Sequence, residues 1–236
     1  MKSVAQNAIE DHPFQPVAPI YERFRLAWPE RLVRRVAGLA GLAPGDAVLD
    51  LGTGPGSLAI VFAKLGMDVT AADPDPRMLE AARLAAGRAG ARLHFWQGGS
   101  AELTEKMGPF RMAVIGRAFH WMDGAATLAM LDRIVAPDGA VVLFHDAHPD
   151  LPENAWFKLG WEILRRHRRK SDEPKAAFHR RYEPFLLASS FRVIDTLSVI
   201  VQKSITADEI VGRAFTQSAG AALGAPFEAE LRAGLV

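Results

Sequence analysis

Val48-Leu49-Asp50-Leu51-Gly52-Thr53-Gly54-Pro55-Gly56 is the stretch that decides how this chain folds. With Ala47, its first half is a short apolar run entered through the turn Pro44-Gly45-Asp46, which predicts a buried strand over 47–51. Its second half is rich in glycine, and Ser57 to Leu65 continues as a helix with Gly66 as its stop. Glycine at such a strand-to-helix turn permits positive φ, and its missing Cβ lets a ligand lie against the backbone. The helix behind the turn offers unpaired N–H groups.

Working outward, Val69 to Ala72 predicts the next strand, ending at Asp73, twenty-one residues beyond Gly52. A carboxylate there can accept two hydrogen bonds from a ribose diol. The loop departs from the G-x-G-x-x-G of dinucleotide binders. Its third glycine comes one residue early, and Ser57 stands in the place of the last. Asp50 is also badly placed for a pyrophosphate. An acid there suits a cationic ligand end, a sulfonium or an α-amino group, directly or through water. The spacing favours a nucleoside without phosphates.

The alternation continues on both sides. Pro29 to Gly41 predicts a helix, with Leu32, Val33, Val36, Leu39 and Ala40 at helical spacing and Pro29 in its first turn. Asp75 and Pro76 are N-cap and first-turn proline of a helix through Ala86. Further strands are expected at 93–96, 112–115 and 140–144, the last fully buried. Helix 125–135 is broken by the turn Pro137-Asp138-Gly139. Five apolar strands separated by helices predict an α/β fold with a doubly wound, mainly parallel sheet covered on both faces. Beyond residue 150 the pattern changes. Trp156 to Lys170 predicts an amphipathic helix ending in a basic run from Arg165, and Phe191 to Ser204 a long strand or hairpin. Thr206 to Glu209 opens another helix, and the chain ends in helical sequence. The whole is expected to be one domain: an arm and lid helix (1–43), a ligand-binding core (44–148), and a helical cap with additions (149–236).

Composition narrows the function. The 236 residues are 49% hydrophobic and 23% charged, a globular balance that excludes disorder. Lys and Arg number 28 against 27 Asp and Glu, so there is no global basic field for gripping a nucleic acid. The absence of cysteine excludes thiolate nucleophiles and Cys-ligated zinc. No apolar run approaches the ~20 residues of a membrane helix. The first residues lack the apolar core of a secretory signal. A soluble, cytoplasmic protein without a membrane partner is the expectation, with oligomeric state unspecified. The basic run Arg165–Lys170 reads as a solvated helix end before it reads as an RNA or lipid contact. His145-Asp146-Ala147-His148 reads as a polar pocket loop before it reads as a metal site, so no metal is expected.

Five stretches, in order, resemble the motifs of class I S-adenosylmethionine-dependent methyltransferases, in their small-molecule, aconitate-methyltransferase-like branch. They are Val48–Gly56, Ala72-Asp73-Pro74-Asp75-Pro76-Arg77-Met78-Leu79, Gln97-Gly98-Gly99-Ser100-Ala101-Glu102, Ala118-Phe119-His120-Trp121-Met122-Asp123, and Arg133 to Leu143. The resemblance spans about residues 20–148. It implies a Rossmann-like fold, S-adenosyl-L-methionine as cofactor, and methyl transfer to an oxygen, nitrogen or carbon of a small molecule. Under it, Asp50, Gly52, Thr53, Gly54 and Pro55 hold the methionine part and Asp73 the ribose. Pro74, Ser100 and Ala101 frame the adenine, and Arg117 and Ala118 lie beside the sulfonium.

His120, just past strand four, is the candidate base, set against the alternative that it only shapes the pocket. Trp121, His145 and Asp146 follow strands on the edge where open α/β sheets bind ligands. The segment with Tyr21, Phe24, Arg25 and Trp28 corresponds to the family's lid, making Tyr21 and Arg25 candidate contacts. Phe215 and Gln217 fall in its variable cap and are candidates for shaping the acceptor site.

Departures stand out. Ser100 occupies the place of an adenine-binding Asp, Arg111 that of a frequent acid, and residues 230–236 do not supply the family's usual last strand. The alternatives are a protein that binds the nucleoside without transferring methyl, and an RNA methyltransferase using the basic run. Against the latter, the Asn/Asp-Pro-Pro-Tyr signature is absent after strand four. A dehydrogenase comes last.

Overall fold

The computed structural model describes residues 27–167, 182–215 and 225–235. Its strands are β1 Ala47–Leu51, β2 Asp68–Asp73, β3 His94–Gln97, β4 Phe110–Gly116 and β5 Val135–Phe144. Its helices are α1 Glu30–Leu39, α2 Ser57–Lys64, α3 Pro76–Ala89, α4 Gly124–Ile134, α5 Ala155–His167, α6 Glu183–Leu187, α7 Ala207–Phe215 and α8 Ala225–Gly234. The described residues cluster into two compact units. One is 27–146 with 182–201, and the other is 147–167 with 202–215 and 225–235.

The first unit is built on a parallel five-stranded sheet in the order β3-β2-β1-β4-β5. Side chains alternate faces along each strand, so its apolar runs feed two cores. On one face Val48, Val69, Met112 and Val114 pack with Val33 and Val36 of α1 and Leu58 and Phe62 of α2. On the other, Leu49, Leu51, Ala113 and Ile115 pack with Leu128, Leu131 and Ile134 of α4. All five parallel strands therefore aim their carboxyl ends at one edge. Asp75 caps α3 as expected, its carboxylate accepting from the Arg77 amide at 2.9 Å.

Several expectations are corrected. Pro29 is the N-cap of α1, not part of its first turn, and Leu39 is 72% exposed because it falls on the outer face. The Pro137–Gly139 turn lies inside β5. Val135 pairs opposite Phe110 and Ala140 opposite Met112, so the turn bulges out of the ladder. β5 is half-buried because it is an edge strand.

Residues 191–204 form neither strand nor hairpin. They run without regular structure, and Val193 is 82% exposed. Their β-branched composition favours a strand only where a neighbouring ladder receives it, and among the described residues none does. The helix expected from Trp156 runs Ala155–His167, and residues 168–170 lie outside the described set.

The second unit packs α5, α7 and α8 around Ile163, Leu164, Val211, Phe227 and Leu231. Part of the basic run is spent within it, where Arg166 and His167 meet the two oxygens of Glu230 at 2.8 and 2.5 Å. No helix among the described residues is long and apolar enough to cross a membrane.

Phe62 is fully buried and meets Phe144 edge-on at 6.5 Å between centroids. Phe62→Ala is expected to cost about 3–5 kcal/mol, read from denaturant unfolding at unchanged slope.

Candidate functional site at the carboxyl edge of the sheet

The loop after β1 is fixed by two buried carboxylates. Asp50 Oδ2 accepts from Thr53 Oγ1 at 2.7 Å and from the Ala59 amide at 3.0 Å, which locks the loop onto the first turn of α2. Asp50 Oδ1 is buried with no hydrogen-bond partner among the described residues. The side chain is 1% exposed, and this burial pushes its pKa up to about 7. The bonds from Thr53 and Ala59 pull the other way, and the charge of Asp73 adds a little more upward push.

Asp73, at the end of β2, ties the second strand to the same loop. Its Oδ2 accepts from the Gly54 amide and its Oδ1 from the Asp75 amide, both at 2.9 Å.

The glycines explain why the loop takes this path. Gly52 has φ 73°, and a Cβ there would stand 2.5 Å from the Ala118 Cβ, so the loops after β1 and β4 meet at this point. Gly54 has φ 55°, yet a Cβ there would meet nothing within 4 Å among the described residues. Its backbone faces open space beside the Asp73 carboxylate that accepts its amide. Behind it, Gly56 in the left-handed region caps α2.

Beside this loop the end of β4 is strained. Arg117 has φ 57°, a conformation that costs a non-glycine residue about 1 kcal/mol or more. The surroundings hold it there. Its amide donates to the Phe144 carbonyl at 3.0 Å, and its guanidinium lies 4.0 Å over the Trp28 ring and 2.5 Å from Asp146 Oδ1.

Next along, Phe119 to Trp121 form a single 3₁₀ turn. Phe119 is buried, whereas His120 and Trp121 are exposed with their rings 5.0 Å apart. Ser100 and Ala101 open a 3₁₀ turn after β3, where the Gly99 amide donates to the Glu102 carboxylate at 2.8 Å.

Of the residues expected in the site, the structure joins Asp50 with Thr53, Gly54 with Asp73, Gly52 with Ala118, and Arg117 with Asp146. Pro74 begins the link from β2 to α3, and His145 follows β5. Tyr21, Arg25 and Gln217 lie outside the described residues, and Phe215 ends α7 in the helical unit. Among the described residues no cluster of three or more His, Asp or Glu could hold a metal ion.

Tyr182 went unnoticed in the sequence. Just ahead of α6, it meets Phe119 and His145 edge-on at 5.2 and 5.8 Å. Burial and the nearby Asp146 charge raise its pKa, so the phenol keeps its proton. Its one signal was the pairing of Tyr182 and Phe185 around a helix-starting proline. Trp28 stood in the lid segment without a role, and here it carries the Arg117 guanidinium.

S-Adenosylmethionine, the cofactor the resemblance implies, fits these residues on three counts. Among the described residues Gly54 has space where a side chain would stand, the Asp73 carboxylate lies beside it, and a buried carboxyl lies under the loop.

Residues 48–139 match the family described as methyltransferase domain. An uncharacterized methyltransferase of Mycobacterium tuberculosis is 30% identical over 143 residues, 60% of this chain and 52% of that protein. The ribosomal protein L11 methyltransferase of Thermus thermophilus is 48% identical over 73 residues, 31% of this chain and 28% of that protein. The chain thus spans about half the length of the first relative and less of the second.

Among solved structures, a glycopeptide N-methyltransferase complexed with S-adenosyl-L-methionine aligns at 25% identity and TM-score 0.44, over 50% of this chain and 54% of that one. The magnesium protoporphyrin IX methyltransferase of Synechocystis aligns at 18% identity and TM-score 0.47, over 57% and 73%. Residues 48–139 thus match a methyltransferase domain, and they carry β1 to β4 of the parallel sheet.

The raised pKa of Asp50 has a definite sign. The folded state holds a proton up to about pH 7 that the unfolded chain loses near 3.8, so the group's contribution is complete below 3.8 and fades as pH rises through 7. The stability of the wild type relative to Asp50→Asn is expected to fall by about 2 kcal/mol between pH 5 and pH 8, measured by urea unfolding at each pH.

Proposed function

We propose that this protein transfers the methyl group of S-adenosylmethionine to a small-molecule acceptor. The observation that carries the reading is the junction of Asp73 with the Gly54 amide, inside the segment that matches the methyltransferase domain. The acidic strand end and the glycine loop thereby become one surface for a ribose and the chain attached to it. When bound, S-adenosylmethionine supplies a methyl group on a positively charged sulfur.

The residues divide the work. Gly52, Thr53, Gly54 and Pro55 cradle the methionine part, and no described side chain stands over Gly54 to obstruct it. Asp73 accepts from the ribose hydroxyls. Pro74, Ser100 and Ala101 frame the adenine, with Ser100 a weaker acceptor than a carboxylate. Arg117 and Ala118 line the reacting end, where the Arg117–Asp146 pair fixes the end of β4. Asp50 sits beneath the loop, and an incoming positive charge favours its ionised form.

On the acceptor side, exposed His120 takes the proton from a hydroxyl or amine. Trp121 and His145 supply apolar and polar walls, and Tyr182 donates a hydrogen bond. Proximity and alignment supply most of the acceleration. The small-molecule reading is supported by the near-zero net charge, which provides no global basic field for RNA.

Calorimetry with S-adenosylhomocysteine and label transfer from methyl-labelled cofactor into metabolite extracts test the proposal together. Asp73→Ala is expected to weaken nucleoside binding about tenfold or more, since it removes charged acceptors and loosens Gly54. His120→Ala is expected to lower turnover about 100-fold while leaving that affinity in place. Tight binding with no label transferred to any acceptor would replace the enzyme with a nucleoside-binding protein.

A further inference from the structure

Four aromatic side chains of the sheet unit form a corner past the ends of β4 and β5. Gly124 opens α4, and a Cβ there would stand 2.9 Å from a Phe185 ring carbon and 3.0 Å from one of Phe119. Its missing side chain is what lets those two rings meet, at 5.8 Å between centroids and 83°. Tyr182 meets Phe119 at 5.2 Å and 80°, and His145 meets Tyr182 at 5.8 Å and 88°. Phe119 is buried, Tyr182 half-buried, and His145 and Phe185 exposed. Rings set at right angles present faces as well as edges to an incoming planar molecule.

A short run of contacts joins this corner to the glycine loop. Gly52 packs on Ala118, the neighbouring Arg117 holds Asp146 at 2.5 Å, and the Asp146 charge reaches Tyr182. The polar groups of the corner are the Tyr182 hydroxyl and the His145 imidazole. Among the described residues neither makes a hydrogen bond. The Asp146 carboxylate repels an anionic acceptor, and its pairing with Arg117 leaves it a poor counter-charge for an ammonium. An uncharged flat ring carrying a hydrogen-bonding oxygen meets both conditions.

We propose that the acceptor is a phenol and that Tyr182 positions it. The phenol ring lies among Phe119, Tyr182 and Phe185, and the Tyr182 hydroxyl bonds its oxygen. This rests on the methyl-transfer reading above and names the acceptor class for it. In the transfer the phenolic oxygen gains the methyl carbon, the pair of the broken carbon–sulfur bond stays on a neutral thioether, and the phenolic proton ends in solvent.

The probes are 2-naphthol, 2-methylnaphthalene and 2-decalol. They keep, in turn, the ring with its hydroxyl, the ring alone, and the hydroxyl on a saturated body. Each is titrated by calorimetry into the protein saturated with S-adenosylhomocysteine, which has no methyl group to give. The wild type is expected to bind 2-naphthol about fivefold or more tighter than either of the others. Tyr182→Phe keeps the ring against Phe119 and removes the hydroxyl. It is expected to weaken 2-naphthol about fivefold while 2-methylnaphthalene and S-adenosylhomocysteine bind as in the wild type. Failure of S-adenosylhomocysteine to bind would remove the methyl-transfer reading itself, and the phenol with it. With that ligand bound, three results would each overturn the phenol proposal alone. They are no binding of 2-naphthol, binding no tighter than that of 2-decalol, and an undiminished advantage over 2-methylnaphthalene in Tyr182→Phe. Should the variant not fold, the wild-type comparison decides.

Discussion

One carboxylate joins the parts that matter. Asp73 takes the amide of Gly54 on one oxygen and that of Asp75 on the other, both at 2.9 Å. The first bond reaches back to the loop after β1, and the second fixes the turn that starts α3. β1 and β2 are already neighbours in the ladder, but a ladder stops where the strands stop. Asp73 continues the connection past that limit. Beneath it Asp50 anchors the other side of the loop through Thr53 and Ala59. The glycine turn is therefore held at both ends by acids, and its middle stays open.

That open middle is shaped as much by what glycine lacks as by what the acids hold. At Gly52 the lost Cβ is needed for packing, since Ala118 already fills its place. At Gly54 nothing among the described residues fills the space. Two glycines two residues apart thus serve opposite ends, one admitting a neighbouring loop and one leaving room for a ligand. Arg117 carries the third special backbone, and there the left-handed turn falls on a side chain whose own contacts, Trp28 and Asp146, keep it in place.

What could be seen in the sequence follows from how local each feature is. The glycine turn, the acid at the end of β2 and the Asp75 cap depend on spacings within a few tens of residues, and they were legible. The sheet was legible because Val48, Leu49 and Leu51, like Met112 to Ile115, are apolar on both faces. Residues 191–204 misled because β-branched composition states a preference, and only a neighbouring strand makes it a strand. Tyr182 was invisible because its place depends on Phe119 and His145, far away along the chain. The use of each Asp50 oxygen was equally hidden, since burial of a group is a property of the packed state.

The segment from Val193 to Val201 leaves Val193, Ile200 and Val201 facing water, with Ile194 partly so. The molecule carries almost no net charge to keep its copies apart. An oily stripe on a nearly neutral body is a recipe for colloidal stickiness. Handling of the protein at high concentration will depend on the salt and pH chosen for the solvent, quite apart from anything its pocket does.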